Sequence, residues 1–570
     1  MKLFSKAIIV LSLASVFCVS GCKKSSEPAK STEEVVQSIK AWNKSDVNSL
    51  LAYIPADTPT VLVTTREVDS SHPAFSTLMK KSLKYYDDSM KSFERQLSHY
   101  SDETGKKVYD SLKSLRPLIE NYEANAAEWG LDPKWHTDAA FYSSNDTFVV
   151  KITVADSQKV KAKLDSYIAE WTRAAKQDTD SPITFTELKA GSSTWYVYVA
   201  TAELKDINDS KASLPSMIAY NLDNNILTLT SVKPGDTATL EKMLKIQDKP
   251  LTKDALGKIE KNAQAVGFVD TIKFTNQLLN SDTTKDLVKE SADFELTPVC
   301  VKDINSIVAQ FPKIRFVAKI EPTGEIISET VVQMSDKEEL AKIKALTIDH
   351  LTVGGENSMA AVSLNLKLSD AIQYLQDTTK RISEHKYECE SMNPLIPDFW
   401  TMTILGLSNP KVKMITSAFT GANVAIDKLN MAGNNIEVEA VANLTGPKLA
   451  SDYPMLAGMA ALSDPKLGQL LIMKKGEIKN IDLAEVVEQP LKVNALLTDT
   501  DIVVGTETYD VKAISSGKRT NDGTILSLSI NTAIVNSLGL PLDDISIPDS
   551  TVGLSIGVND EGFIFKTSSK

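Results

Sequence analysis

The stretch DTFVVKITVADSQKVKAKLDSYIAEW, residues 146–171, changes its apolar period partway along, and that change constrains the fold more than any other feature. Phe148, Val150, Ile152 and Val154 alternate, which puts them on one face of a strand. Val160, Leu164, Tyr167, Ile168 and Trp171 then recur at helical spacing, on one side of a helix capped by Asp156 or Ser157. A strand that leads straight into an amphipathic helix buries an apolar face on each, so a sheet with helices packed on it is expected.

The same grammar returns in AAVSLNLKLSDAIQYLQDTTKRI, where Val362, Leu364, Leu366 and Leu368 alternate before Ser369. It returns again in TILSLSINTAIVNSLG with Leu526, Leu528 and Ile530, so the segments read as degenerate structural repeats. Between them MIAYNLDNNILTLTSV, RFVAKIEPTGEIISETVV, KVNALLTDTDIVVG and TVGLSIGVNDEGFIFKTS carry hairpin turns, and hairpins pair antiparallel. Further helices are expected from Ser335 with Glu338 as a capping box, and near Pro447 after Gly446. One segment departs from this pattern. Leu83, Tyr86, Met90, Phe93, Leu97 and Tyr100, then Val108, Leu112, Leu115, Ile119, Tyr122, Ala126 and Trp129 after Thr104-Gly105, alternate at three and four. They predict an antiparallel helical hairpin over 75–130, whose stripes pack on the body or serve as an arm for an envelope protein partner. The fold class is therefore α+β: large antiparallel sheets with helices on one face, strand–helix–hairpin repeats, and this helical hairpin. A division near residue 290, where SADFELTPVC follows a helical stretch, gives an N-terminal α+β domain over 51–290 and a C-terminal one over 291–570.

The first residues predict where the chain resides. Lys2 and Lys6 precede an apolar run, Ala7 to Val19, too short to span a bilayer, which is the layout of a secretory signal. It ends in Val19-Ser20-Gly21-Cys22, which resembles the bacterial lipobox, with Val19 where Leu is usual. That resemblance implies a signal peptide over 1–21 and a lipidated Cys22. An ordinary cleaved signal, or a buried Cys22, is the alternative. Acyl chains at Cys22 would anchor the protein to a membrane, each buried methylene contributing about 0.8 kcal/mol. Residues 22–50 would form a polar tether and a short helix with Ser31 and Glu34 as its capping box. Lys23 is not the aspartate that holds many lipoproteins at the inner membrane, so the sorting rule points to the periplasmic face of the outer membrane. No later stretch is long and apolar enough for a transmembrane helix.

The chain has 62 basic and 74 acidic side chains and a net charge of −12, and the signal holds two lysines and no acid. That balance argues against nucleic acid as a partner. Cys300 and Cys389 remain once Cys18 and Cys22 are assigned to the signal and the lipidation site. In an oxidising compartment they would most simply pair across a long loop; two free buried thiols are the other reading. The cysteines lack CxxC partners, and His72, His99, His136, His350 and His385 are scattered, so no metal or cofactor is expected.

Catalytic patterns fail on context. Gly553-Leu554-Ser555-Ile556-Gly557 satisfies G-x-S-x-G, but alternation runs straight through Ser555 and the turn NDEG follows instead of a helix. The last histidine in the chain is His385, so none lies downstream of Ser555. Glu33-Glu34, Asp87-Asp88 and Asp543-Asp544 are adjacent pairs whose side chains diverge, and Asp499 and Asp501 read as hairpin-turn residues. Trp195, Tyr196 and Tyr198 alternate within a strand and read as core and rim.

YIPADTP, FYSSNDTFVVKITVADSQKVKAKLDSYIAE, AVGFVDTIKF, TPVCVKDINSIVAQFP and ECESMNPLIP together resemble uncharacterised lipoproteins of Gram-negative bacteria. The broad plan is similar to proteins with DUF3352-type repeats. In that group one cysteine follows a proline in the first cysteine motif and another precedes a Met-Asn or Leu-Asn pair in the second. The resemblance thus implies that Cys300 and Cys389 form a disulfide. It also implies an envelope location and a fold style, and brings no activity with it. The expected function is a lipid-anchored, periplasm-facing envelope lipoprotein that binds or scaffolds without catalysis. A carrier of an apolar ligand or lipid, and a cryptic enzyme, are the alternatives.

Overall fold

The computed structural model describes residues 49–65, 120–132, 137–144, 147–175, 183–200, 217–232, 237–260, 262–281, 296–351, 353, 358–390, 392, 416–432, 435–463, 465–484, 490–531 and 551–569, with Lys80, Leu83, Asp87 and Met90. These residues combine helices with antiparallel sheet, as the α+β reading expects. No helix among them is long and apolar enough to cross a membrane. The chain divides into two units. One holds residues to Ser281 together with Arg315–Ile326, and the other holds Asp282–Ile314 together with Ile327–Lys570. The exchange of 315–326 is a long-range event that local patterning does not encode.

In the first unit the strands are β1 (Thr60–Thr64), β2 (Ala139–Ser144), β3 (Thr147–Thr153), β4 (Ile183–Ala190), β5 (Ser193–Ala200), β6 (Met217–Asp223), β7 (Ile226–Val232) and β8 (Ala263–Asp270). They pair antiparallel in the order β8-β1-β2-β3-β7-β6-β5-β4. Asn224 and Asn225 both have positive φ in the two-residue turn between β6 and β7, the left-handed pair that suits strand twist and that Asn tolerates. Helix α1 is Tyr122–Glu128, the C-terminal end of the expected helical hairpin. Lys80, Leu83, Asp87, Met90 and Glu120 are also helical; the other residues of that hairpin before 120 lie outside the described residues.

Helix α2 (Ser157–Ala175) presses Val160 and Leu164 onto Tyr220 and Leu227 on one face of this sheet. A 3-10 turn, Ser49–Tyr53, covers the opposite face, where Leu50, Leu51 and Ile54 pack with Val61, Val63, Tyr142, Val149 and Phe268. Burying side chains of this size contributes about 1.5–3 kcal/mol each relative to exposure. Helices α3 (Thr237–Met243) and α4 (Thr271–Asn280) complete the unit, with strand β9 (Lys313–Ile320), whose Val317 joins the second of these cores.

The second unit contains α5 (Pro298–Val308), β10 (Ile326–Gln333), α6 (Lys337–Lys344), β11 (His350–Leu351), β12 (Ala360–Asn365) and α7 (Leu368–Glu384). It continues with β13 (Gly421–Ala432), β14 (Asn435–Thr445), α8 (Leu449–Ser463), α9 (Pro465–Leu470), β15 (Ile478–Asp482), β16 (Lys492–Leu497), β17 (Asp501–Thr506) and α10 (Val511–Ser515). Strands β18 (Arg519–Thr520), β19 (Thr524–Asn531), β20 (Thr551–Val558) and β21 (Gly562–Ser569) close it. Its main sheet runs β10-β21-β20-β19-β12-β13-β14-β17-β16-β15, and β11 pairs with β18 apart from it.

The passage from strand to helix recurs with one device. Asp156 accepts from the backbone N–H of Gln158 and Lys159 after β3, and Asp270 accepts from Lys273 after β8. Asp336 accepts from Glu339 after β10, and Asp510 from Lys512 and Ala513 after β17. Each carboxylate satisfies orphan N–H groups and sits at the positive end of the helix dipole. The capping box expected at Ser335 and Glu338 is therefore displaced by one residue, because Ser335 spends its N–H and hydroxyl on Gln310 O. Ser369 caps nothing: α7 already begins at Leu368, and its N-cap Lys367 gives no side-chain bond.

Candidate functional site

Each main sheet carries a row of polar side chains, buried at Lys151, Thr228 and Asn221 in the first unit and at Asn423 and Asn443 in the second, and register alone aligns it. In the first unit Ala140, Lys151, Thr228 and Asn221 are successive partners across β2, β3, β7 and β6. Lys151 is 1% exposed, donates from Nζ to Thr228 Oγ1 at 3.0 Å, and lies 4.9 Å from the centre of the Tyr53 ring. Removal from water disfavours the ammonium and holds this lysine down to about 7. The same burial pushes the Tyr142 phenol well above its ordinary range.

In the second unit Ser555, Ser527, Ser363, Asn423 and Asn443 are successive partners across β20, β19, β12, β13 and β14. Ser363 Oγ donates to Asn423 Oδ1, and Asn365 Nδ2 donates to Ser363 Oγ at 2.8 Å. One step along the strands, Asn443 Nδ2 donates to Thr445 Oγ1 and Thr445 Oγ1 donates to Asp501 Oδ1, both at 3.1 Å. Asp501 is 2% exposed, accepts from Thr500 Oγ1 and pairs with the Arg519 guanidinium. These residues are held mutually, which fixes strand register and positions the β11–β18 pair, in which Arg519 faces Leu351. Asp501 read as a turn residue in sequence because its partner lies on a different element.

A third polar knot joins α6 to α7. Glu339 accepts from Arg381 Nη2 at 2.8 Å, Tyr374 Oη at 2.7 Å and Lys342 Nζ at 3.1 Å. Burial pushes this carboxyl up, but the three donors outweigh it and hold it at about 2. Beyond the knot, Asp377, Lys380, Arg381, Glu384 and His385 line an open depression of about 450 Å³ along α7.

The opposite face of the second unit's sheet is aliphatic. Val424, Val362, Leu528 and Leu554 are successive partners across β13, β12, β19 and β20, and Ile530 faces Val552 one pair further along. Helix α8 covers the neighbouring part of this face, packing Leu449 and Tyr453 on Leu444, Ile502 and Val504. Beyond α8 no described element covers it: Val362, Val424, Ile530, Val552 and Leu554 are between 37 and 51% exposed. Contiguous exposed aliphatics mark binding surfaces more often than isolated ones do.

Cys300 and Cys389 are joined as a disulfide across a separation of 89 residues. Thr297 Oγ1 caps α5 by accepting from Cys300 N–H, and Asp303 accepts from Cys389 N–H at 2.8 Å. Met392, Ile304, Ile307 and Tyr387 pack around the bridge. The arrangement is a staple holding 387–392 on α5. Ser555 lies mid-strand in β20 opposite Ser527 and Lys566, with no helix following it, so the strand reading of GLSIG is the observed one. Trp195 is fully buried against Val197, Ala219 and Leu240, while Tyr196 stacks on Tyr220 at 5.0 Å. No group of three or more His, Cys, Asp or Glu side chains fit to hold a metal ion occurs among the described residues. Cys22 lies outside the described residues.

No family model, no curated protein and no solved structure matches the chain.

Proposed function

We propose that this chain is a lipid-anchored envelope protein, held at Cys22 on the periplasmic face of the outer membrane, that acts by binding and not by catalysis. The open aliphatic face of β13, β12, β19 and β20 is the observation that carries the binding reading. Leaving several branched side chains half in water forgoes about 25 cal/mol for each Å² not covered, a cost that a partner on this face recovers. The lipobox-like VSGC motif carries the anchoring half. The resemblance to uncharacterised Gram-negative lipoproteins, broadly similar to proteins with DUF3352-type repeats, agrees with it, and the recurring strand, Asp cap and helix is compatible with that plan.

A second reading, a carrier of an apolar ligand or lipid, is favoured by one property of the same face. Its central partners are Val, Leu and Ile with no charged side chain among them, which suits hydrocarbon better than a polar protein surface. A photo-crosslinking residue placed at Val362 in living cells separates the two. An adduct of lipid mass supports the carrier, an adduct to one defined envelope protein supports the scaffold, and no adduct contradicts both. Incorporation of a palmitate analogue that vanishes in Cys22→Ala tests the anchor.

A further inference from the structure

Lys151 belongs to neither the aliphatic face nor the staple, and its surroundings are unusual for a cation. Among the described residues it has no ion pair with a carboxylate; Thr228 Oγ1 and the Tyr53 ring are its polar neighbours. The groups facing it come from three elements and one connecting segment. Asp138, just before β2 and opposite Thr153, and Tyr142 of β2 lie on its face of the sheet, the 3-10 turn brings Tyr53, and β7 brings Thr228. Met243, Leu251 and Leu256 of the 243–256 segment add only apolar surface.

The same neighbours hold the 3-10 turn in place. Asp138 Oδ2 accepts from Ser49 N–H at 2.8 Å and from Ser49 Oγ at 2.6 Å. Tyr142 Oη donates to Tyr53 O at 3.5 Å, and the Tyr53 ring caps the lysine. The turn in turn supplies acceptors to the next layer: Ala52 O takes Gln247 N–H at 2.9 Å and Ile54 O takes Leu251 N–H at 2.8 Å.

An ammonium has three donors and no acceptor, and this pocket offers one hydroxyl and one ring face. A neutral amine fits it without an orphaned charge. Once charged, the lysine gains by admitting water, and of the layers around it the single turn is the cheapest to move, because β2, β3 and β7 are locked by ladder hydrogen bonds. We propose that Lys151 and Tyr53 form a protonation-sensitive latch: the neutral amine keeps Ser49–Ile54 seated on the sheet, and the ammonium releases it. Release uncovers Leu50, Leu51 and Ile54 and lengthens the chain leading back toward Cys22. Burial sets the transition near neutrality, within the range an envelope protein meets.

Hydrogen exchange of the Ile54, Gln247 and Leu251 amides in the full chain, corrected for intrinsic rate between pH 5.5 and 8.5, tests the latch. Protection of all three is expected to fall at least tenfold toward pH 5.5, while β20 and β21 amides keep theirs. In Lys151→Met the step disappears and protection stays high at both ends. Should Lys151→Met fail to fold, Lys151→Gln carries the same expectation. Asp138→Asn is expected to lower protection throughout and to keep the step. Protection independent of pH in the unsubstituted chain, a step that survives loss of the lysine, or a step that vanishes in Asp138→Asn would each overturn the proposal.

Discussion

The two sheets solve one problem in opposite ways. Both carry a row of polar side chains across their central strands, buried at its centre, but the row of the first unit holds a lysine with no ion-pair partner among the described residues, while that of the second holds amides and hydroxyls beside a closed Asp501–Arg519 pair. The difference teaches where each unit is sensitive. The first carries a buried lysine that burial holds down to about 7, and in the second the buried Asp501 carboxylate is paired with Arg519. Their apolar faces differ as well. In the second unit α8 covers only part of the aliphatic face, and the uncovered part is the one to which binding is assigned.

Substitutions can break this contrast from either side. The largest loss is expected from Asp501→Ala, which strands Arg519 and removes the acceptor of Thr445 and Thr500; a loss of about 3–5 kcal/mol in a urea titration fits a broken buried pair. Lys151→Met moves the other way. Between about 7 and the ordinary lysine value near 10 the unfolded chain binds the extra proton, so stability of the first unit rises with pH across that window, and the penalty is complete below it. Removing the lysine should flatten that slope and stabilise the unit at pH 6 by up to about 4 kcal/mol. Reduction of Cys300–Cys389 should cost the second unit about 2–4 kcal/mol and leave the Lys151-dependent slope unchanged. Glu339→Gln gives a smaller effect because Arg381 and Lys342 are largely exposed. Its folded value of about 2 lies below the unfolded one near 4, so the stability it contributes is present above pH 4 and lost as pH falls toward 2. Acid titration of the variant should lack that loss.

Much of this fold is legible in the residues. The alternation through Phe148, Val150, Ile152 and Val154, the helix after Asp156 and the Asn-Asn hairpin turn all follow from local periodicity and turn chemistry, and they stand where they were expected. The buried rows were not legible, because alternation separates two faces of a strand without saying that both are covered. In β3 the intervening Val149, Lys151 and Thr153 are all buried, while Phe148 on the apolar set is 43% exposed. Asp501 and Arg519 are separated by a strand and a helix, and no local pattern couples them. The Cys300–Cys389 pair was accessible from counting thiols once the signal-like first residues were taken to imply an oxidising compartment, because few partners were available.

The central claim, that the open aliphatic face of the second unit is the binding element, is tested most directly by a photo-crosslinking residue at Val424 in living cells. One defined adduct, protein or lipid, should form in the parent chain. In Val362→Lys with Leu554→Lys the adduct should be lost while the stability read from a urea titration stays within about 1 kcal/mol of the parent, since both side chains already face water in part. An adduct that survives both lysines, or no adduct in the parent chain, would contradict the account.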